Sequence, residues 1–332
     1  GTLRAGTVDS WLLWKLTGAT VHATDHSNAS RTQLFNTATL RWDERLADLF
    51  DVPLSILPEV RPSDSRFGET APGGLRPGTP IHAMIGDSHA ALFGHGVRAP
   101  GTVKATYGTG SSLMTLTPQR VSSSHGLSGT IAWSTAAGVD YALEGNISVS
   151  GQAAAFMAEL LGLSDAAALS KLADTVFDTN GVAFVPALVG LGAPHWRDDA
   201  RGVISGLSLG TKPAHLARAA LEAIAFQVAD VLSAMEADIG APMAQLRADG
   251  GASRNTFLMQ FEADIIGRPV VTASAPEVSA LGAAALAFGG LGIAMPPVPG
   301  ATHYAPAMAD EERIAHRARW DAAIAQTLNT TT

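Results

Sequence analysis

Apolar residues recur at helical intervals along 8–17, 43–50, 150–161, 165–175, 215–239, 255–266, 279–289 and 311–327, and these segments predict helices. Runs of strand length fall at 102–107, 112–117, 129–134, 141–144, 182–186, 246–249 and 269–272. Between them, 24–36 is polar and hydroxyl-rich and predicts loop with a short helix. The Pro- and Gly-rich stretch 58–80 predicts loops around short strands. An apolar run over 80–85 predicts a strand that stops at Gly86-Asp87, followed by a helix over 88–94. Helices and strands mix, with glycine turns at strand ends, so the expected fold class is α/β, a sheet with helices on its faces. Gly and Pro cluster over 96–101 and mark a boundary between blocks 1–96 and 97–332. The chain shows no internal repeat and no low-complexity tract.

Composition narrows the function. With 332 residues, 46% hydrophobic and 16% charged, the chain can bury a sizeable core. Its net charge of -8 and the lack of any Lys/Arg-rich run exclude nucleic acid as an expected partner. The absence of cysteine excludes a disulfide scaffold and a thiolate zinc site, and it fits a cytoplasmic location. The 10 histidines are scattered, without H-E-x-x-H spacing. The longest apolar run, 280–295, is broken by four glycines and is shorter than the roughly 20 residues a membrane span needs. It predicts a buried helix whose small residues allow close packing. No signal peptide is visible at the start. A helix begins within a few residues of Gly1, so the opening reads as the middle of a domain.

Three short stretches carry candidate chemistry. Asp87 follows an apolar run and opens a helix, so its carboxylate can take a proton from a hydroxyl that attacks phosphorus. The plainer reading is an N-cap that satisfies orphan N–H groups. Gly108-Thr109-Gly110 reads as a phosphate-binding backbone nest or equally as a hairpin turn. Gly250-Gly251, with Asn255 following, reads as a contact for ribose and adenine, or as a strand-to-helix turn capped by Ser253 or Asn255. One base and two glycine turns together suggest phosphoryl transfer from a nucleotide. The stretch Gly206 to Lys212 lacks P-loop spacing, and no G-x-G-x-x-G follows a strand. The loop Gly190-Leu191-Gly192-Ala193-Pro194-His195-Trp196 reads as a structural turn anchored by Trp196, or as a cleft lining. Glu144, Glu222 and Asp264 read as caps or packed polar contacts.

Taken together, these motifs resemble the FGGY family of carbohydrate kinases, and within it the glycerol-kinase branch. Gly202-Val203-Ile204-Ser205-Gly206-Leu207, His215-Leu216 and Ala219-Ala220-Leu221-Glu222 match the family's carboxyl-terminal signature. Val8-Asp9-Ser10-Trp11, Thr24-Asp25-His26-Ser27-Asn28-Ala29-Ser30-Arg31-Thr32, Leu57-Pro58-Glu59-Val60-Arg61, Ala90-Ala91-Leu92-Phe93-Gly94 and Asp249-Gly250-Gly251-Ala252 carry the branch resemblance. So does Phe257-Leu258-Met259-Gln260-Phe261. The resemblance implies an actin-like, ribonuclease-H-like, two-lobed ATPase fold. Residues 1–96 would be the remainder of the sugar-binding lobe, and 97–332 the complete nucleotide-binding lobe. It implies ATP-dependent phosphorylation of a small polyol or sugar, with ATP and Mg2+. Asp87 would be the general base and a magnesium contact, with Asp87, Ser88 and Ser112 at the substrate. Thr109 and Gly110 would form the phosphate-side loop, and Gly151, Gly251 and Asn255 the other nucleotide contacts. A homodimer is among the implied partners.

Three departures qualify the resemblance. The family's opening stretch, with its first phosphate loop and polyol-gripping Arg-Glu and Trp elements, is expected to be lacking, which predicts little activity for the chain alone. A non-catalytic, nucleotide-binding remnant is therefore the alternative, and an actin-like or chaperone ATPase a third. Ser88-His89 stands where the branch has Gln-Gln, and Ser112 where it has Phe. A hydroxyl-reading site altered in this way fits a larger or differently hydroxylated substrate, such as a pentulose or tetritol. Ala155 stands where a nucleotide-side Gln is usual.

Overall fold

The computed structural model describes residues 3–329. At its centre is a seven-stranded sheet. Thr102–Tyr107 lies in the middle and pairs antiparallel with Ser111–Thr117 through a tight hairpin. On that side Gly138–Ile147 and then Ser128–Thr135 extend the sheet antiparallel. On the other side Gln245–Gly250 and then Val270–Ala273 add in parallel, and Gly300–Tyr304 closes the edge antiparallel. This is the ribonuclease-H-like arrangement the resemblance implied.

Alternation along the central strand sorts its side chains between two faces. Val103, Ala105 and Tyr107 join the main core under Pro213–Ile239, Gly151–Leu160 and Thr256–Ile266. The helix Pro213–Ile239 starts on a proline, which has no N–H to waste there, and stops at left-handed Gly240 (φ 73°). Asp87–Gly94 packs on the opposite face, where Leu92 meets Met114, Leu116, Ala132 and Trp133. Lys104 and Thr106 alternate onto that face too.

Inside the main core Tyr107 donates its hydroxyl to Glu262, and both side chains are fully buried. Burial pushes the Glu262 carboxyl up to about 8, against the hydrogen bond from Tyr107. A raised acid stabilises the fold fully below its unfolded value, and that contribution is lost as pH rises through the folded value. The contribution of Glu262, read from urea titrations as the difference between the wild type and Glu262→Gln, is therefore expected to fall by on the order of a few kcal/mol between pH 4.5 and about 8. A difference that stays constant across that range would refute the assignment.

Residues 3–96 contribute a helix Val8–Leu16 and small paired strands, including parallel Ala23–Asp25 and Glu59–Arg61. Asp25 is buried, caps the short helix His26–Ala29 through Ser27 N–H and Asn28 N–H, and accepts from the Ser63 hydroxyl. His26 Nδ1 lies 2.6 Å from Ser134 Oγ and Ser63 N–H donates to Ser134 O at 2.8 Å, which ties this block to the large sheet.

Two expectations need correction. The run 80–85 does not form one strand: only Pro80–Ile81 pairs, with Gly68–Glu69. Beyond it, Met84 N–H donates to Ser63 O and Gly86 N–H to Ser27 Oγ, so loop groups take the place of a ladder. The run 280–295 yields the helix Val278–Gly290, with only Val278, Gly282 and Leu286 buried. It is a one-sided helix whose close contact is the crossing with Asp87–Gly94. Five strands escaped the sequence pattern: Ala23–Asp25, Phe35–Asn36, Arg41–Trp42, Val203–Ser205 and Gly300–Tyr304. Among the described residues no helix is long and apolar enough to cross a membrane.

Candidate functional site

Asp87 is the first residue of its helix, and Gly86 before it is the cap. A side chain at Gly86 would meet His89 Nδ1 at 2.7 Å, which explains the glycine. The N-cap reading of Asp87 is therefore not realised. Its carboxylate is exposed, Oδ1 accepts from Ser88 N–H at 2.6 Å, and no other protein hydrogen bond engages it among the described residues. A hydroxyl contact joins the next residue to the sheet: Ser88 Oγ lies 3.0 Å from Ser112 Oγ, which donates to Glu144 Oε1 at 3.0 Å. Glu144 pairs through Oε2 with Arg31. The packed-contact reading of Glu144 thus holds, with Ser112 as its partner.

Behind this group lies Lys104, fully buried on the central strand. Its Nζ reaches Ser112 O at 3.4 Å and Ser112 Oγ at 3.5 Å. Burial pushes the ammonium below the usual lysine range, opposed by the charges of Asp249, Glu144 and Asp87. His89 is buried, 3.3 Å from Thr130 Oγ1, and pushed down to about 3 by burial, then by Arg31 and Lys104. It is a neutral imidazole. At the far end of the same helix, His95 Nε2 lies 2.7 Å from Asp249 Oδ2, both side chains buried.

The glycine turns meet at a second place. Gly108-Thr109-Gly110 is the three-residue loop that closes the hairpin, with Gly108 N–H donating to Gly110 O at 2.8 Å, and it forms a rim as well. Its carbonyls take the first N–H groups of the next helix: Thr109 O accepts from Ser150 and Gln152, and Gly108 O from Gly151. The N–H groups of Thr109 and Gly110 take no partner among the described residues, so they remain free donors. A Cβ at Gly110 would stand 2.4 Å from Ile147 O, and one at Gly151 2.5 Å from Gly108 O. Gly250 (φ 90°) turns the chain so that Gly251 N–H donates to Tyr107 O at 2.9 Å. The result is a cavity of about 580 Å³, lined by Gly108, Gly151, Ala154, Ser170, Gly251 and Asn255 among others. Gly151, Gly251 and Asn255, far apart in sequence, are brought together; Thr109 and Gly110 stand beside the lining. Asn255 Oδ1 accepts from Leu258 N–H at 3.0 Å as helix cap, and its Nδ2 donates to Ser170 Oγ at 2.7 Å. Ala155 is exposed on its helix and does not line the cavity.

A polar cleft of about 720 Å³ opens beside it, at the carboxyl ends of Gln245–Gly250 and Val270–Ala273, with Thr106, Asp249, Gly251 and Arg254 on its walls. Sequence reasoning left Lys104, His95, Asp249 and Arg31 out of the site. The available signal for Lys104 was a lone charge inside an apolar strand. The other expectations resolve as structure. Trp196 Nε1 donates to Gly126 O at 2.6 Å, so its loop is an anchored turn. Glu222 pairs with Arg218 at 2.8 Å and is pushed up to about 7 by burial. Asp264 accepts from Ala307 and Met308 N–H. Among the described residues, no group of three or more His, Asp or Glu is arranged to hold a metal.

Comparison with known proteins accounts for both halves of this arrangement. The profile of the FGGY family of carbohydrate kinases, N-terminal domain, matches residues 4–94, and that of the C-terminal domain matches 103–290. This corrects the expectation that the N-terminal portion is lacking. The chain is 46% identical over 335 residues to glycerol kinase of Koribacter versatilis, covering 98% of this chain and 67% of the relative. It is 50% identical over 289 residues to glycerol kinase of Symbiobacterium thermophilum, covering 86% and 58%. The crystal structure of Plasmodium falciparum glycerol kinase with ADP superposes with a TM-score of 0.91 at 34% identity, covering 97% of this chain and 66% of that one. A xylulose kinase from Lactobacillus acidophilus shares the fold, with a TM-score of 0.86 at 22% identity. The chain thus spans about two thirds or less of the length of the relatives it matches. With profiles of both domains matched in order, the chain belongs to the FGGY family of carbohydrate kinases.

Proposed function

We propose that the chain carries an ATP-dependent kinase activity toward a hydroxyl of a small polyol or sugar, with Asp87 as general base. The observation that carries this reading is the Asp87 carboxylate, exposed and spent on no cap, next to a serine pair that can hold a hydroxyl. The glycerol kinases at 46% and 50% identity support it. In this reading Ser88 and Ser112 orient the substrate, and Asp87 takes its proton as the oxygen attacks the γ-phosphorus. The nucleotide lies in the 580 Å³ cavity between Gly151, Gly251 and Asn255, with the free N–H groups of Thr109 and Gly110 toward its phosphates. Magnesium usually takes one or two carboxylates plus phosphate oxygens and waters, so a single exposed Asp87 suits it, and there it would neutralise phosphate charge. We place the lobe boundary at 96/97, between the two matched profiles. A homodimer belongs to the same reading.

The test is a coupled ADP-release assay with glycerol, xylulose, ribulose and erythritol. Turnover with one acceptor would establish the activity and name the substrate. ADP binding without turnover on any acceptor would overturn it in favour of a non-catalytic nucleotide-binding role. Asn255 offers a separate check on the nucleotide side. Asn255→Asp keeps the capping acceptor and favours the helix N-terminus electrostatically, so melting should change little. It loses the amide donor and puts a negative charge on the cavity wall. ADP affinity measured by calorimetry should fall about tenfold or more; an unchanged affinity would remove Asn255 from the nucleotide site.

A further inference from the structure

Lys104 is fully buried, and nothing in the packing around it calls for a charge. Its hydrogen-bond partners are Ser112 O at 3.4 Å and Ser112 Oγ at 3.5 Å, and it forms no direct ion pair among the described residues. The buried carboxylates that face it have partners of their own: Glu144 pairs with Arg31, and Asp249 accepts from His95 at 2.7 Å. An ammonium withdrawn from water without a direct counter-ion costs folding free energy. A methionine of similar length would fill the same space without that cost.

The sheet register shows where the ammonium stands. Lys104 pairs with Met114 across the hairpin, yet its Nζ reaches past to Ser112, two residues nearer the loop 108–110. Ser112 pairs with Thr106, and Thr106 with Asp249 on the other side. Paired residues share a sheet face. The ammonium therefore lies by the row Ser112–Thr106–Asp249, the last row on this face before the turns Gly108-Thr109-Gly110 and Gly250-Gly251. The surroundings of those turns are acidic. Asp87 is exposed at the start of the overlying helix, and the walls of the two cavities carry Asp174, Asp249 and Glu277 against Arg254. The phosphates of a nucleotide add further negative charge.

From this placement we infer that Lys104 is a positioning residue of the nucleotide site: its ammonium, behind Ser112 and beside Asp249, offsets the surrounding carboxylates and so favours the anionic phosphates of a nucleotide, not its base or ribose. In the interior of a protein a unit charge acts over several ångströms with little screening by salt. Lys104 thus trades stability for affinity, a common exchange at functional sites. The inference rests on the kinase reading for the place of the nucleotide, but it concerns binding and not turnover.

The experiment measures ADP and adenosine binding by calorimetry on the full chain, in magnesium-free buffer of low salt. In Lys104→Met, ADP affinity should fall about tenfold or more while adenosine affinity changes by less than about twofold. Melting should hold or rise, because no ion pair is broken. Asp249→Asn keeps an acceptor for His95 and removes one negative charge, so it should strengthen ADP binding and leave adenosine as it was. Combining the two substitutions should regain most of the lost ADP affinity. A merely structural lysine gives another result: lower melting, and equal losses for ADP and adenosine. An ADP-to-adenosine ratio in Lys104→Met equal to that of the wild type overturns the inference. If that variant does not fold, an unchanged ratio in Asp249→Asn does so, as does failure of the wild type to bind ADP. The expected ratios without ADP release on any acceptor would overturn the kinase reading and leave the role of Lys104 standing. Turnover beside an unchanged ratio would do the reverse.

Discussion

Asp87→Asn is expected to lower polyol-dependent ADP release by about a hundredfold to ten-thousandfold, the range over which a positioned base contributes. Asparagine keeps the shape and can still accept from Ser88 N–H, so the local geometry survives. What it removes is the basic oxygen. Because Gly86 rather than Asp87 caps the helix and the carboxylate is exposed, melting should move little. That combination separates the readings: a structural carboxylate would cost stability and spare turnover. Steady-state kinetics beside a melting curve checks it, and turnover within a few-fold of wild type would remove Asp87 from the chemistry.

The second large effect is expected far from the cavity, where Asp87–Gly94 crosses Val278–Gly290. A Cβ at Gly282 would stand 1.8 Å from Ala90 O and 2.9 Å from Gly94 N; one at Gly94 would meet Val278 O at 2.6 Å. These neighbours are backbone atoms of a helix, so no side chain can swing away. Gly282→Ala must push the two helices apart. Overpacking of this kind costs typically 1–3 kcal/mol and occasionally more, and backbone-to-backbone overlap puts this site at the upper end. Denaturation in urea should show the loss. The same displacement shifts the helix that carries Asp87, Ser88 and His95, so turnover should fall even at temperatures where the variant stays folded. Gly289→Ala on the same helix, where a Cβ meets nothing within 4 Å, is the control and should be neutral or mildly stabilising. Equal melting for both variants would refute the close crossing.

Legibility followed the range of the interaction involved. Helices such as Pro213–Ile239 and strands such as Thr102–Tyr107 were readable because their signals, apolar period and flanking Pro or Gly, lie within a few residues. Asp87, Gly110, Gly251 and Asn255 stood out for the same reason, as small or acidic residues at element ends. The run over 80–85 misled because an apolar stretch forms a strand only beside a partner, and here Ser63 and Ser27 stand in that place.

Local pattern therefore decided the α/β class, the order of most elements and the family resemblance, since each depends on side chains close along the chain. Tertiary structure alone decided which residues meet: His95 with Asp249 across 154 positions, Ser88 with Ser112, and Arg31 with Glu144. It also decided that Lys104 is buried among Asp249, Glu144 and Asp87, and that Gly151, Gly251 and Asn255 share one cavity. Such encounters come from strand order and from which sheet face each side chain takes, and no local window of sequence records either.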